Sequence, residues 1–187
     1  FSFCERALGG SAFAQSINKL GKITPTVSNT EKFVNAFNTI QKLIEQGLII
    51  AGHDIASGGL ITTLLEMCFS SNKGGMKVDL TGINEKDLVK VLFSENPGIV
   101  IQCSENDAVK NQLTTNGVEF IVLGTAVPYR KVRVTNFEHE VDFDIDSLRD
   151  LWFKTSYLLD RKQSGNELSL KRFNNYKRFQ LQYDFNE

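Results

Sequence analysis

The segment Ile49-Ile50-Ala51-Gly52-His53-Asp54-Ile55-Ala56-Ser57-Gly58-Gly59-Leu60 decides how this chain is read. An apolar run enters a carboxylate, then passes small residues and paired glycines into a second apolar stretch. That is the order of a buried strand, a turn and a helix. Such units build α/β folds, and a carboxylate at the carboxyl end of the strand faces the crevice where open α/β sheets bind ligands. Asp54 is therefore a candidate Mg²⁺ ligand, set beside the free amides of a helix N-terminus and a Gly58-Gly59 turn that a phosphate could approach. The plainer reading makes Asp54 a helix cap and the glycines a means of close packing. Residue types alone leave both open. His53 reads as a hydrogen-bonded turn histidine rather than a base.

Outward from this segment the chain alternates strand-like and helix-like patterns, which predicts an α/β domain with a mixed sheet covered by helices. Gly9-Gly10-Ser11 precedes helical spacing through Phe13, Ala14, Ile17 and Leu20, closing at Gly21. It reads either as a tight turn with a capping serine or as an anion cradle. Ser28 and Glu31 have capping-box spacing ahead of Phe33, Phe37, Ile40 and Ile44, with Gly47 as the stop. Leu48–Ala51 and Ile99–Ile101 read as buried strands, and Met76–Leu80 as a strand with one wet face. Glu119–Leu123 is a further strand, and Val132–Val134 with Glu138–Phe143 form an outlying hairpin. Short helices are expected over Glu85–Phe93, capped by Asn84, and from Ser104 to Asn116. The helix Leu60–Phe69 is apolar on nearly every face, so it belongs in the interior or under another domain. A last helix begins near Asp146. From about Gln163 apolar spacing weakens, and a basic, ring-rich linker that packs on a neighbour is expected. The domain thus spans residues 1–145, and 146–187 form a long helix and linker.

Bulk properties exclude several classes. A net charge of −1 offers no general attraction for nucleic acid or an anionic membrane. No run approaches the roughly 20 apolar residues of a membrane span. The three cysteines, Cys4, Cys68 and Cys103, form no CxxC pair and read as reduced and largely buried. A start at Phe1, without an initiator Met or a signal pattern, reads as a piece of something longer. The chain has no GxxxxGK[ST], GxGxxG or HExxH motif and no Ser-His-Asp order. Glu95 sits at an element end where a carboxylate could join a site, with a solvated loop acid as the preferred, plainer reading, and His139 reads as exposed. The apolar helix and the ring-rich tail predict self-association or marginal solubility of the chain alone.

Three segments occur in a telling order: Leu8-Gly9-Gly10-Ser11-Ala12-Phe13-Ala14-Gln15, His53-Asp54-Ile55-Ala56-Ser57-Gly58-Gly59-Leu60, and Leu92-Phe93-Ser94-Glu95-Asn96-Pro97-Gly98-Ile99-Val100-Ile101-Gln102. Together they resemble the carboxy-terminal half-domain of the aminoimidazole ribonucleotide synthetase superfamily. The tail, with Leu148-Arg149-Asp150-Leu151-Trp152 and Leu181-Gln182-Tyr183-Asp184-Phe185-Asn186-Glu187, narrows the likeness to the long, single-chain phosphoribosylformylglycinamidine synthases. The resemblance implies a cytoplasmic, glutamine-using, ATP-dependent ligase of purine biosynthesis. Such an enzyme converts formylglycinamide ribonucleotide to formylglycinamidine ribonucleotide. This chain would supply an auxiliary site for ATP or ADP with Mg²⁺, in which Asp54 holds the metal and Ala56, Ser57, Gly58 and Gly59 hold the nucleotide. Preceding synthetase-like domains and a following glutaminase domain are the implied partners, with small-molecule substrates and neither nucleic acid nor membrane. No catalytic residue is expected here, and the isolated chain should be silent. One departure stands out. The family commonly reads HD-x-S-D-GG, whereas Ala56 and Ser57 occupy those two places here.

Overall fold

The computed structural model describes residues 6–175. The strand expected from Phe1, Cys4 and the terminal segment from Tyr176 fall largely or wholly outside that range. Seven α-helices and six strands are described, in two sheets.

The first sheet is an antiparallel pair, β1 (Ile49–Asp54) and β3 (Ile99–Cys103), with Asp54 opposite Ile99. Helices α2 (Thr30–Glu45) and α5 (Asn106–Thr115) cover it, and Ala36, Ile40, Leu43, Val109, Leu113 and Val118 close a core there. The expectation of a buried β1 is corrected: most of it is exposed, Ile50 by 60%. Among the described residues β1 has one partner strand and helices on one side, and its other face is left uncovered. The cap of α2 also moves by one residue. Asn29, rather than Ser28, accepts from the Lys32 amide at 2.9 Å.

The second sheet has the order β4-β2-β5-β6, from β4 (Gly124–Val127), β2 (Gly75–Asp79), β5 (Lys131–Asn136) and β6 (His139–Asp144). The β2–β5 pairing is parallel and the other two are antiparallel, so the sheet is mixed, as the sequence predicts. The hairpin is not outlying. Val132 and Val134 of β5 are fully buried against α3 (Gly59–Phe69) and α4 (Leu88–Phe93). Strict alternation along β5 turns its valines inward and Lys131 and Arg133 outward. The strand expected over Glu119–Leu123 is displaced to Gly124–Val127, because the β2 edge offers pairing partners to those residues. Helix α4 starts at Leu88, capped by Asp87; Asn84 instead ends a short 3₁₀ turn. Asn106 rather than Ser104 opens α5.

Helix α1 is short, Ala12–Ser16, ending well before Gly21. Ser11 caps it, accepting from the Ala14 amide and donating to the Leu8 carbonyl at 2.8 Å. The apolar α3 lies within the domain's own core, so the exposed apolar surface falls elsewhere, on Phe33 and Phe37 of α2 and on Leu151 and Trp152 of α6 (Ile145–Ser164). Arg149 of α6 reaches back to the carboxyl end of α3, donating to the Phe69 and Ser71 carbonyls at 3.2 and 3.3 Å and to Asp146 at 3.0 Å. Where a linker is expected, a further helix α7 (Asn166–Asn175) forms. It folds back on α6 through an Arg172–Asp160 pair and a Tyr157–Phe173 ring contact at 4.8 Å. Among the described residues no helix is long and apolar enough to cross a membrane.

Candidate functional site

The turn from Asp54 to Gly59 joins the two halves. Asp54 is the last residue of β1, and its side chain is 77% exposed. It does not cap α3: Gly58 occupies the cap position in left-handed conformation, φ +89°, without a side-chain hydrogen bond. Gly59 follows with φ +73°, so two successive residues need the conformation that glycine adopts without steric cost. The Asp54 carbonyl accepts from Thr63 Oγ1 at 3.0 Å and lies 2.7 Å from His53 Nδ1, while His53 Nε2 lies 3.2 Å from Glu66 Oε2. His53 is thus held by hydrogen bonds, as expected, though on the strand rather than in the turn.

The amides of the turn divide into two pairs. Gly59 donates to the Ala56 carbonyl at 3.0 Å, and Gly58 donates to Glu95 Oε1 at 2.8 Å. Ala56 and Ser57 are exposed, and their amides have no partner among the described residues. The two glycine amides are therefore engaged internally, which leaves the amides of the exposed Ala56 and Ser57 as the turn's remaining donors.

Glu95 corrects the sequence reading. It is not a solvated loop acid: it is half-buried, and its Oε1 accepts from the Ala12 amide as well as from Gly58, each at 2.8 Å. Pro97-Gly98 turns the chain back so that the Gly98 carbonyl accepts from the Ile55 amide at 2.8 Å. Phe13 stacks on Phe93 with ring centroids 4.7 Å apart. The three segments singled out in the sequence thus meet at one junction. The signal available for Glu95 was its place at an element end, just ahead of Pro97-Gly98.

Two cavities lie nearby. One of about 330 Å³ separates the two cores and is lined by Ile40, Leu64, Val78, Ile101, Phe120 and Leu123. The other, about 280 Å³, lies behind the turn against Ile55, Leu60 and Ser94. Asp54 lines neither. The crevice expected in front of it is open among the described residues, where β1 has no third strand beside it. Among the described residues no group of three or more His, Cys, Asp and Glu could hold a metal. Asp54 offers one accessible hard oxygen donor, which suits Mg²⁺ as one ligand of about six. His139 is exposed, and Cys68 and Cys103 are free thiols, the first buried, where desolvation raises its pKa.

Comparison with known proteins places the chain in a family. The chain is 37% identical over 166 residues to human phosphoribosylformylglycinamidine synthase, covering 86% of this chain and 12% of the relative. It is 38% identical over 163 residues to a probable phosphoribosylformylglycinamidine synthase, chloroplastic/mitochondrial, of Arabidopsis thaliana, covering 85% and 11%. The chain therefore spans about one eighth of the length of these relatives. Among solved structures, T. maritima PurL complexed with ATP superposes with a TM-score of 0.58 at 15% identity, over 76% of this chain and 24% of that one, a likeness of fold. The model of the AIR synthase related protein, C-terminal domain, matches residues 4–136, and the chain belongs to that family.

Proposed function

We propose that this chain works as one domain of a phosphoribosylformylglycinamidine synthase, the glutamine-using, ATP-dependent ligase that makes formylglycinamidine ribonucleotide in purine biosynthesis. The carrying observation is the identity to two such synthases over more than four-fifths of the chain, with all three family segments converging on one junction. In this reading the domain contributes an auxiliary Mg-nucleotide site. Asp54 supplies one oxygen to the metal, which when bound would neutralise phosphate charge. The amides of Ala56 and Ser57 meet phosphate oxygens, and Gly58 and Gly59 shape the turn that presents them. Because Asp54 lines no cavity of its own, the remaining ligands and the nucleotide pocket come from a preceding synthetase-like domain. A glutaminase domain supplies ammonia, and the whole acts in the cytoplasm. Calorimetry with Mg-ADP on the full-length protein tests this reading: Asp54→Ala should abolish binding at the auxiliary site, and unchanged binding would remove Asp54 from it.

One observation favours a second reading, in which the domain is architectural. Ala56 carries no hydroxyl, and both glycine amides are satisfied internally. A full-length protein that never retains nucleotide at this turn, yet loses activity when the domain is disrupted, would favour that alternative.

A further inference from the structure

Glu95 does something that neither reading of the turn includes. One oxygen atom accepts from two backbone amides that lie 83 and 37 residues away in sequence, Ala12 at the start of α1 and Gly58 ahead of α3. A carboxylate shared in this way fixes the separation of two otherwise unconnected turns, and charge makes each bond stronger than a neutral one. Its surroundings leave little slack. A Cβ on Gly59 would stand 2.6 Å from the Leu92 carbonyl oxygen and 2.8 Å from the Phe93 backbone. The Phe13–Phe93 stack and the Ile55–Gly98 hydrogen bond tie the same segment at two further places.

We infer that Glu95 is a positioning residue: it occupies the Gly58 amide that an incoming phosphate would otherwise take, locks the Gly9–Ser11 and Gly58–Gly59 turns together, and so confines ligand contact to the exposed Ala56-Ser57 amides. The ligand half of this statement rests on the Mg-nucleotide reading above; the locking half does not. Glu95 acts through the backbone it holds and touches no reacting atom.

Three variants of the full-length protein test it, each followed by amide hydrogen exchange of the peptide spanning the turn and by Mg-ADP calorimetry. Glu95→Ala should raise exchange at Gly58 about tenfold or more and weaken Mg-ADP by about tenfold, the scale of a lost charge-assisted bond. Glu95→Gln keeps an acceptor oxygen at the same reach but not its charge, and should restore both readouts partway towards the parent values. Ala12→Pro removes one N–H at the first helical position, where proline fits, and Ser11 before it already has φ −64° and ψ 154°, which a residue preceding proline adopts. Exchange at Gly58 should rise there too, although Glu95 is intact. Unchanged Gly58 exchange in both Glu95→Ala and Ala12→Pro overturns the lock. A Gln variant as impaired as the Ala variant overturns positioning through hydrogen bonds. Should Glu95→Ala fail to fold, the Gln and Pro variants decide. A parent protein that takes up no Mg-ADP at this turn defeats the nucleotide reading alone, and exchange still judges the lock.

Discussion

The two halves of the domain are closed to different degrees. Around the four-stranded sheet, Val132, Val134 and Ile145 are fully buried and Leu64 is 1% exposed. Around the β1–β3 pair a smaller core forms under α2 and α5, while the outer face, with Ile50, stays open. Asp54 ends a strand of the open half, and the turn that follows it is anchored in the closed one. A metal ligand has to be reached from outside, whereas a turn that presents amides has to be held still. Under the proposed Mg-nucleotide reading, the division would supply each need from a different side of the same six residues.

The comparison is broken most readily at glycines. In the closed half, Gly59→Ala combines positive φ with backbone atoms that cannot rotate away, and should destabilise by on the order of 4 kcal/mol. In the open half, Gly47→Ala has φ +68° but nothing within 4 Å of its Cβ. It should cost about 1 kcal/mol, the left-handed penalty alone. Urea unfolding of both variants measures this; equal losses would mean that the halves are not packed differently.

Side-chain truncation sharpens the same contrast. Leu64→Ala should cost about 3 kcal/mol by removing buried contacts and leaving a void. Ile50→Ala should stay within about 0.5 kcal/mol of the parent in the isolated chain. A larger loss at Ile50 in the full-length protein would show that another domain covers this face.

Arg149 attaches α6 to the closed half. Arg149→Ala removes donors to the Phe69 and Ser71 carbonyls and to Asp146, and should lower stability by about 2 kcal/mol. Faster proteolysis within α6, with Phe69–Ser71 amide exchange accelerated, is the expected signature. Unchanged melting would make the contact incidental.

The smallest effect is acid sensitivity on the wet face of the closed half. Hydrogen bonds from Arg133 at 2.7 and 2.9 Å hold the Asp142 carboxyl down at about 2, below the ordinary aspartate value near 3.9. A depressed folded-state pKa stabilises above the unfolded value, and that stabilisation disappears as pH falls from about 4 to about 2. The pair is solvent-exposed, so the melting difference between the parent and Asp142→Asn should be slight at neutral pH and vanish over that window. A difference independent of pH would assign it to packing.

Legibility in the sequence followed the range of the signals. Helices α2 and α3, strands β2, β3 and β5 and the β5–β6 hairpin were readable because their periodicities are local. Edges were less so. Asn29 displaced Ser28 as a cap and Asp87 displaced Asn84, since neighbouring residues of equal capping ability compete and packing chooses among them. The run Glu119–Leu123 has strand composition, yet pairing falls on Gly124–Val127, where a partner edge exists. Helix α7 escaped notice because its stabilising pairs, Asp160–Arg172 and Tyr157–Phe173, reach across a helical hairpin. At the site, Asp54 and the glycine turn were visible as types, but Glu95 resembled a solvated acid because both amides that hold it are distant in sequence.

Alone, the order of residues determined the class of fold and the family segments, because backbone sterics and short-period burial act within a few residues. Tertiary structure alone decided that β1 lies open, that the glycine amides are consumed from within, and that Glu95 joins the two turns. Those outcomes depend on which unpaired donors and acceptors meet once the chain has folded, and no local pattern encodes such a meeting.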